Sequence, residues 1–343
     1  MKNILRPIVI VTAILMMFAC SNRNQTSMMK NVTGKAGELV IVISPDDWNA
    51  QAGTLIKETL GQPQLSLPQD EPIFDLINIP HEAFGEIFKT SRNLLISNIK
   101  PSINESGIAF KRDVHAYTQA IVYINARNQK EMAEIFAQNS DRIVAFFMRA
   151  ERDRLSLNYS KYHDKAVLNT VSERFNIKVN VPPGFVVAEN NEDFMWLKFE
   201  TPEISQGILI YSYPYTDDST FTSKYMIAKR NIVLRDNVPG PLEGSYMSTE
   251  NQLPVIYNVF KRNGNHTAEM RGLWTVVNDF MGGPFVSLSM LDMLNNRVVV
   301  LDAYVYAPSK NKRNLLRQVE AMIYTSEFIN QEEIDKINKQ FDL

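Results

Sequence analysis

The chain is poorest in cysteine: Cys20 is the single one among 343 residues. An intramolecular disulfide is therefore excluded, and so are the clustered-thiolate zinc sites of small metal domains. Histidine is nearly as scarce; His81, His115, His163 and His266 are scattered and form no helical pair. His266 and Glu269 are close in sequence, but their surroundings alternate like a strand, where residues three apart face opposite sides and cannot share a metal. Also missing are the Gly-x-Ser-x-Gly elbow, the phosphate loop and the dinucleotide fingerprint. Ser97-Asn98-Ile99-Lys100 has the Ser-x-x-Lys spacing of penicillin-binding enzymes, yet it lies in a strand-like run where that chemistry needs the start of a helix. Neither sign of charge dominates. With 36 basic and 38 acidic residues the formal net charge is −2, so there is no electrostatic case for nucleic acid. No cofactor and no metal is expected.

What is present begins at the N-terminus. Lys2 and Arg6 precede an apolar run, residues 8–18, broken only by Thr12; Ala19-Cys20 closes it before the polar stretch 21–25. A charged start, a short apolar run and a small residue before the cut describe a secretory signal over residues 1–19. The run is about half the roughly 20 residues that a membrane-crossing helix requires. A small residue followed by cysteine is the pattern of lipoprotein signals, with Cys20 as the lipid-attachment residue; an ordinary signal cut elsewhere is the competing reading. Each buried methylene contributes about 0.8 kcal/mol and one acyl chain holds only marginally, so several chains on one cysteine make a lasting anchor. Ser21 rather than an aspartate follows the cysteine. That favours an outer-membrane protein facing the periplasm of the cell envelope. Residues 20–37 are polar, contain Gly34 and Gly37, and predict a flexible tether.

The expected fold class is α+β: two sandwich-like halves, 38–158 and 159–328, with mainly antiparallel sheets, each closed by a long helix, and a helical tail at 329–343. In the first half, strands are expected at 39–43, 74–79, 93–99, 108–113 and 119–125, with a helix at 48–60. Met132, Phe136, Ile143, Phe146 and Ala150 recur at helical spacing over 129–154. The charged end of that helix, 149–154, reads as a solvated terminus or as a polar contact surface. A short helix at 165–175 with Asn176 as left-handed cap opens the second half. Strands at 185–188, 194–199 and 208–213 form a meander, a helix follows at 222–235, and Pro239-Gly240-Pro241 stops it. Further strands are expected at 255–261, 266–277, 285–291 and 297–307, then a helix at 310–325 with Leu315, Val319 and Met322 inward. Each half thus ends in an alternating strand, a turn and an amphipathic helix, which fits a diverged duplication and equally fits any α+β domain.

Several stretches are distinctive as a set: Gly37-Glu38-Leu39-Val40, Leu67-Pro68-Gln69-Asp70-Glu71-Pro72, Ile87-Phe88-Lys89, Ser245-Tyr246-Met247-Ser248-Thr249-Glu250, Arg271-Gly272-Leu273-Trp274, Met281-Gly282-Gly283-Pro284-Phe285-Val286-Ser287 and Tyr306-Ala307-Pro308. With them, over about residues 30–328, the chain resembles an uncharacterised lipoprotein family of the Bacteroidota, domain of unknown function 4837. The resemblance implies a location and a domain plan, and no mechanism. The meander-then-helix order of 177–235 is also similar to the α/β/α sandwich of the photosystem P subunit and Ran-binding Mog1 group, a likeness of fold only.

The densest candidate surface is Glu269, Arg271, Trp274, Asn278 and Asp279, followed by a Gly282-Gly283-Pro284 loop. Arginine beside a large aromatic is a frequent recognition pairing, and the glycines let a backbone approach closely. The alternative is a Glu269–Arg271 salt bridge beside a core tryptophan and a tight turn. Asp218-Ser219-Thr220 resembles the acceptor of Bacteroidota protein O-glycosylation, which makes Ser219 a candidate for modification. Two functions remain open. One is a non-catalytic binding or assembly protein of the envelope, joined to the membrane through lipidated Cys20 and partnered by an envelope protein or glycan. The other is an envelope hydrolase whose Glu250, Glu269 and Asp279 supply an acid/base pair. Metabolic labelling with a palmitate analogue checks the anchor: Cys20→Ala is expected to abolish the label and release the protein, and persistent labelling refutes the assignment.

Overall fold

The computed structural model describes residues 29–329. Cys20, the expected signal peptide and the helix expected at 331–341 lie outside the described residues. Strand β1 (Glu38–Val42) is buried on both faces, with four consecutive residues shielded from solvent. Strands covered from both sides usually belong to parallel sheets, whose crossover helices supply the cover. That is what happens here. The helix α1 (Gln51–Leu60) carries the chain over to β2 (Asp75–Ile79), which pairs parallel with β1. Strand β3 (Asn93–Ile99) pairs parallel with β1 on its other side and with β5 (Ala120–Ala126); only the edge strand β4 (Gly107–Arg112) is antiparallel. The α+β class holds, and the large second sheet is antiparallel as expected, but the antiparallel expectation is corrected for the first half.

The long helix α2 (Gln129–Lys161) runs seven residues past the expected stop at 154 and through the expected domain boundary at 158. Together with α1 it buries Ile56, Met132, Phe136, Ile143 and Phe147 against Leu39, Ile41, Leu95 and Val122. Phe147, not Phe146, is the fully buried ring. The expected helix at 48–60 is split: Ser44 caps a single turn, Pro45–Trp48, extended Ala50 interrupts, and α1 then starts.

Helix α3 (Lys165–Phe175) has the expected limits, capped by the Asp164 carboxylate and ended by Asn176 at φ 57°. The brief strand β6 (Ile177–Lys178) leads to an antiparallel sheet of β7 (Val186–Asn190), β8 (Phe194–Glu200), β9 (Ser205–Pro214), β10 (Tyr246–Thr249), β11 (Ile256–Arg262), β12 (Asn265–Val277), β13 (Gly282–Asp292) and β14 (Arg297–Tyr306). Its order is β10-β12-β13-β14-β9-β8-β7, with β11 also on β12. Helix α4 (Ser223–Asn237) covers one face; α3 and α5 (Arg313–Ile323) cover the other. In α5 the buried row includes Leu316 rather than Leu315. A short pair of β6 with β15 (Glu327–Phe328) completes the half. A parallel-dominated sheet and an antiparallel meander have different topologies, so the two halves are not a duplication.

The halves are joined by polar contacts on α5. The Glu71 carboxylate, from the first half, accepts from Lys312 N at 2.6 Å and Arg313 N at 3.0 Å and so satisfies two orphan donors at the start of α5. Arg313 forks onto Asp75 at 3.1 and 2.7 Å, Arg317 reaches the Ile73 carbonyl, and Arg152 reaches Glu320 at 3.1 Å. Of the expected tether at 20–37, the described part is docked. Thr33 exchanges backbone hydrogen bonds with Thr90 and Arg92, and Gly37 N donates to the buried Glu151 carboxylate. Gly37 sits at φ +84°, and a Cβ there would lie 2.8 Å from Arg313 Nη2, so glycine is needed for both conformation and space. The charged helix end at 149–154 is accordingly a contact surface: Arg154 reaches Glu151, Asn93 and the Thr118 carbonyl. Glu71→Ala, which strands the start of α5, is expected to cost about 1.5–3 kcal/mol, measurable as a lowered urea midpoint; an unchanged midpoint would show that the cap does not join the halves.

Candidate functional site

Strand parity decides where the expected binding residues go. Glu269 and Arg271 are two apart on β12 and share the face under α5; Trp274, at even spacing from neither, faces the α4 side. On the α5 face, Arg271 forks onto Glu269 at 2.7 and 2.9 Å and onto Glu320 at 3.2 and 2.8 Å. Tyr324 donates to Glu269 at 2.6 Å, and Arg152 stacks on the Tyr324 ring at 3.8 Å. Burial alone would raise the Glu320 carboxyl; the Arg271 and Arg152 guanidiniums overcome it and hold it at about 2, well below the ordinary 4.5. This is a closed, buried ion-pair network rather than an open recognition surface.

The remaining expected residues are apart from it. Asp279 sits in the β12–β13 turn and accepts from Phe280 N and Met281 N. Glu250 accepts from Gln252 N, and its own N–H donates to Leu273 O. Counted along β12, the carboxylates Glu250, Glu269 and Asp279 are separated by roughly 13 Å or more at ~3.3 Å per residue, beyond the ~5–9.5 Å of paired glycosidase carboxylates. Ser219 is exposed in a 3-10 turn, Asp218–Phe221, capped by Asp217. Ser97 is buried within β3 and donates to the Val42 carbonyl. His266 packs edge-on against Phe221 at 4.5 Å. Among the described residues no three His, Cys, Asp or Glu side chains gather as a metal site, and no helix is long and apolar enough to cross a membrane.

On the α4 side the sheet carries a pocket of about 380 Å³. Its origin is local. Helix α4 is pinned to the sheet by Arg230, fully buried, which forks onto Asp302 at 2.6 and 3.3 Å, bonds Thr249 at 2.8 Å and stacks on Phe285 at 3.7 Å. Burial raises the Asp302 carboxyl, and Arg230 opposes that. The helix then stops at Asn237 because Pro239 and Pro241 lack amide donors and disfavour helix in the residue before them. Beyond the stop a pocket opens over the sheet, with Trp274 and Tyr304 buried at its back and Trp196 and Tyr306 half-buried beside them. Trp196, Trp274, Tyr304 and Tyr306 form its aromatic wall, with Pro202, Pro239, Pro241 and Pro308 around them and Met247 and Met281 filling between.

The wall is held by its own bonds. Trp196 Nε1 donates to Tyr304 Oη at 3.2 Å, Trp274 Nε1 donates to Val305 O at 3.2 Å, and Trp274 meets Tyr304 edge-on at 5.6 Å. Burial pushes the Tyr304 phenol up to about 12, so it stays neutral. Two glycines make room. A Cβ at Gly207 would lie 2.2 Å from the Tyr304 ring, and one at Gly283 would lie 2.2 Å from Val305 O and 3.1 Å from Trp274 Nε1. Gly282-Gly283-Pro284 is thus the start of β13 and not a loop, although the close approach expected of it is real. At the rim, Lys198 pairs with Glu200 at 2.8 Å and Lys310 with Glu203 at 3.1 Å. Of the expected binding residues only Trp274 lines this pocket. Trp196, Tyr304 and Tyr306 were not singled out in the sequence; the i, i+2 aromatic spacing of Tyr304 and Tyr306 on one strand was the signal for two of them.

Residues 164–325 match the model of a domain of unknown function, DUF4837, and residues 32–160 match that of a second, DUF8532. The likeness expected for one such domain over about 30–328 therefore divides into two, and the division falls at the end of α2. No curated protein matches the chain. Among solved structures, the Ran-binding protein Mog1p of Saccharomyces cerevisiae is 10% identical with a TM-score of 0.31, covering 46% of this chain and 92% of that one. A point variant of Mog1 is 11% identical with a TM-score of 0.29, covering 46% and 93%.

The acid dependence of stability checks the ion-pair network. Because the folded Glu320 carboxyl is held below 4.5, its contribution is present above pH 4.5 and is lost as pH falls toward 2. Glu320→Gln leaves Arg271 and Arg152 short of a counter-charge, so a loss of about 3–5 kcal/mol at neutral pH is expected, with a shallower decline of the urea midpoint between those pH values. A variant with unchanged stability and an unchanged acid profile would contradict the network's role.

Proposed function

We propose that the protein is an envelope lipoprotein of the Bacteroidota type, anchored through Cys20 at the outer membrane and facing the periplasm, and that it binds a ligand without transforming it. The observation that carries the binding reading is the aromatic pocket. Its volume falls in the range of ordinary small-ligand sites, and its aromatic and proline side chains are joined by polar ones, Lys198, Glu200, Glu203 and Ser205 among them. Rings and prolines hold their shape without a ligand, so little conformational entropy is lost on binding. Flat aromatic faces suit the apolar face of a sugar or the side chains of an extended partner segment, in keeping with a glycan or protein of the envelope.

The hydrolase alternative finds less support. Glu269 is committed to Arg271 and Tyr324, and the rim carboxylates Glu200 and Glu203 are each paired with a lysine. The anchor rests on the charged, apolar and Ala-Cys segments of residues 1–20. Ser219, exposed on its capped turn, is accessible to a glycosyltransferase, in line with its assignment as an acceptor.

Capture from solubilised envelope, analysed for both glycans and proteins, tests the reading. The wild-type chain is expected to retain a ligand that Trp196→Ala/Tyr306→Ala loses about tenfold, a difference of ~1.4 kcal/mol, while circular dichroism shows both folded. Equal retention by the two proteins, or none by either, overturns the assignment of the pocket.

A further inference from the structure

A second concavity, about 660 Å³, opens where the two halves meet. Arg149, Arg152, Asp153 and Ser156 line it from one face of α2, at the three- and four-residue spacing that puts side chains in a row. Lys261, Arg262 and Asn263 line it from the end of β11, and Tyr324 from just beyond α5. Its acids are already engaged. Asp153 pairs with Arg112 at 3.3 Å; Glu320 is shared by Arg152 and Arg271; Glu269 is held by Arg271 and Tyr324. Matching these carboxylates against Arg112, Arg152 and Arg271, and Glu327 against Arg262, on which it acts, leaves Arg149 and Lys261 as positive charge in excess.

Arg262 also lines the cleft. It is half-buried, and its guanidinium bonds the Tyr324 carbonyl, Ser326 Oγ and Met290 Sδ, all of them uncharged. Its centre is 5.6 Å from the Tyr324 ring, whose other close cation is Arg152 at 3.8 Å. Two guanidiniums therefore crowd one ring. Burial lowers the Arg262 pKa and Arg152 pushes it the same way, while Tyr324 and Glu327 oppose them.

We propose that this cleft binds a phosphate-type oxyanion, either free or as the headgroup of an anionic phospholipid. Guanidinium forks match tetrahedral oxyanions in geometry and charge, and excess positive charge in a concave, partly desolvated site concentrates anions. The site is separate from the aromatic pocket, shares no lining residue with it, and stands or falls independently.

The test uses the full chain carrying Cys20→Ala, so that no lipid anchor contributes. Titration with pyrophosphate at low ionic strength is expected to show saturable binding that Arg149→Gln/Lys261→Gln weakens about tenfold. Both side chains are exposed, so the fold is retained. About 0.5 M NaCl should weaken the wild type similarly, through screening. A second arm compares sedimentation with phosphatidylglycerol and phosphatidylcholine vesicles. Stronger retention of the wild type than of the double variant on phosphatidylglycerol alone assigns the headgroup; pyrophosphate binding with no vesicle difference assigns the free ion. Absence of saturable binding to either probe, or equal binding by the double variant, overturns the proposal.

Discussion

Buried charge that must find a partner organises this protein. Helix α5 places Arg313, Arg317 and Glu320 out of solvent, and of these only Glu320 finds a charged partner on the sheet beneath, Arg271. Leaving such groups unpaired costs several kcal/mol each, whereas pairing them returns most of that cost. Arg317 is matched in part, bonding Gln64, the Ile73 carbonyl and Met148 Sδ through Nη2 while its Nε and Nη1 have no partner among the described residues. The partners come from both sides: Asp75 and the Ile73 carbonyl from the first half, Arg152 from α2, Arg271 from β12. The halves are consequently set against each other by specific, directional bonds and not by apolar contact alone. The docked segment at 31–37 belongs to the same arrangement, because Gly37 lies against Arg313 and Arg317 and donates to Glu151.

Local patterns were legible in the sequence wherever one residue type dictates the backbone. The limits of α3, its Asp164 cap and its left-handed Asn176 follow from side-chain capping and from the tolerance of asparagine for positive φ. The stop after α4 follows from its prolines. Pairing partners were less legible, because parallel and antiparallel neighbours need the same apolar residues. The uninterrupted apolar run of β1 marks a buried strand, and only the structure shows it covered on both faces and paired in parallel. Adjacent candidates were also ambiguous where neighbours share chemistry: Phe146 and Phe147, or Leu315 and Leu316, differ only by the rotation of a helix.

The candidate site shows the same division. Glu269 and Arg271 were recognisable as partners from their spacing, and so was the core alternative for Trp274. Parity puts Glu269 and Arg271 on one strand face and sends Trp274 to the other, so the candidate surface divides between the two sides of the sheet. Asp302, a charge inside the apolar run of β14, signalled a buried pair, but nothing in the sequence indicates that its partner is Arg230 on a distant helix. The pocket itself is a negative feature, the space left over the sheet past the end of α4. Such space depends on where three separate elements end, and no single window of sequence contains it.

The docking of residues 31–37 has a consequence for how far the folded body can travel. On the proposed lipidation of Cys20, the stretch from there to Asn31, which is bridged to Tyr117, sets the reach of Asn31. At ~3.3–3.6 Å per residue its contour cannot exceed roughly 40 Å. Asn31 would then stay within that distance of the bilayer, and the two concavities could lie farther out only by their own distance from Asn31.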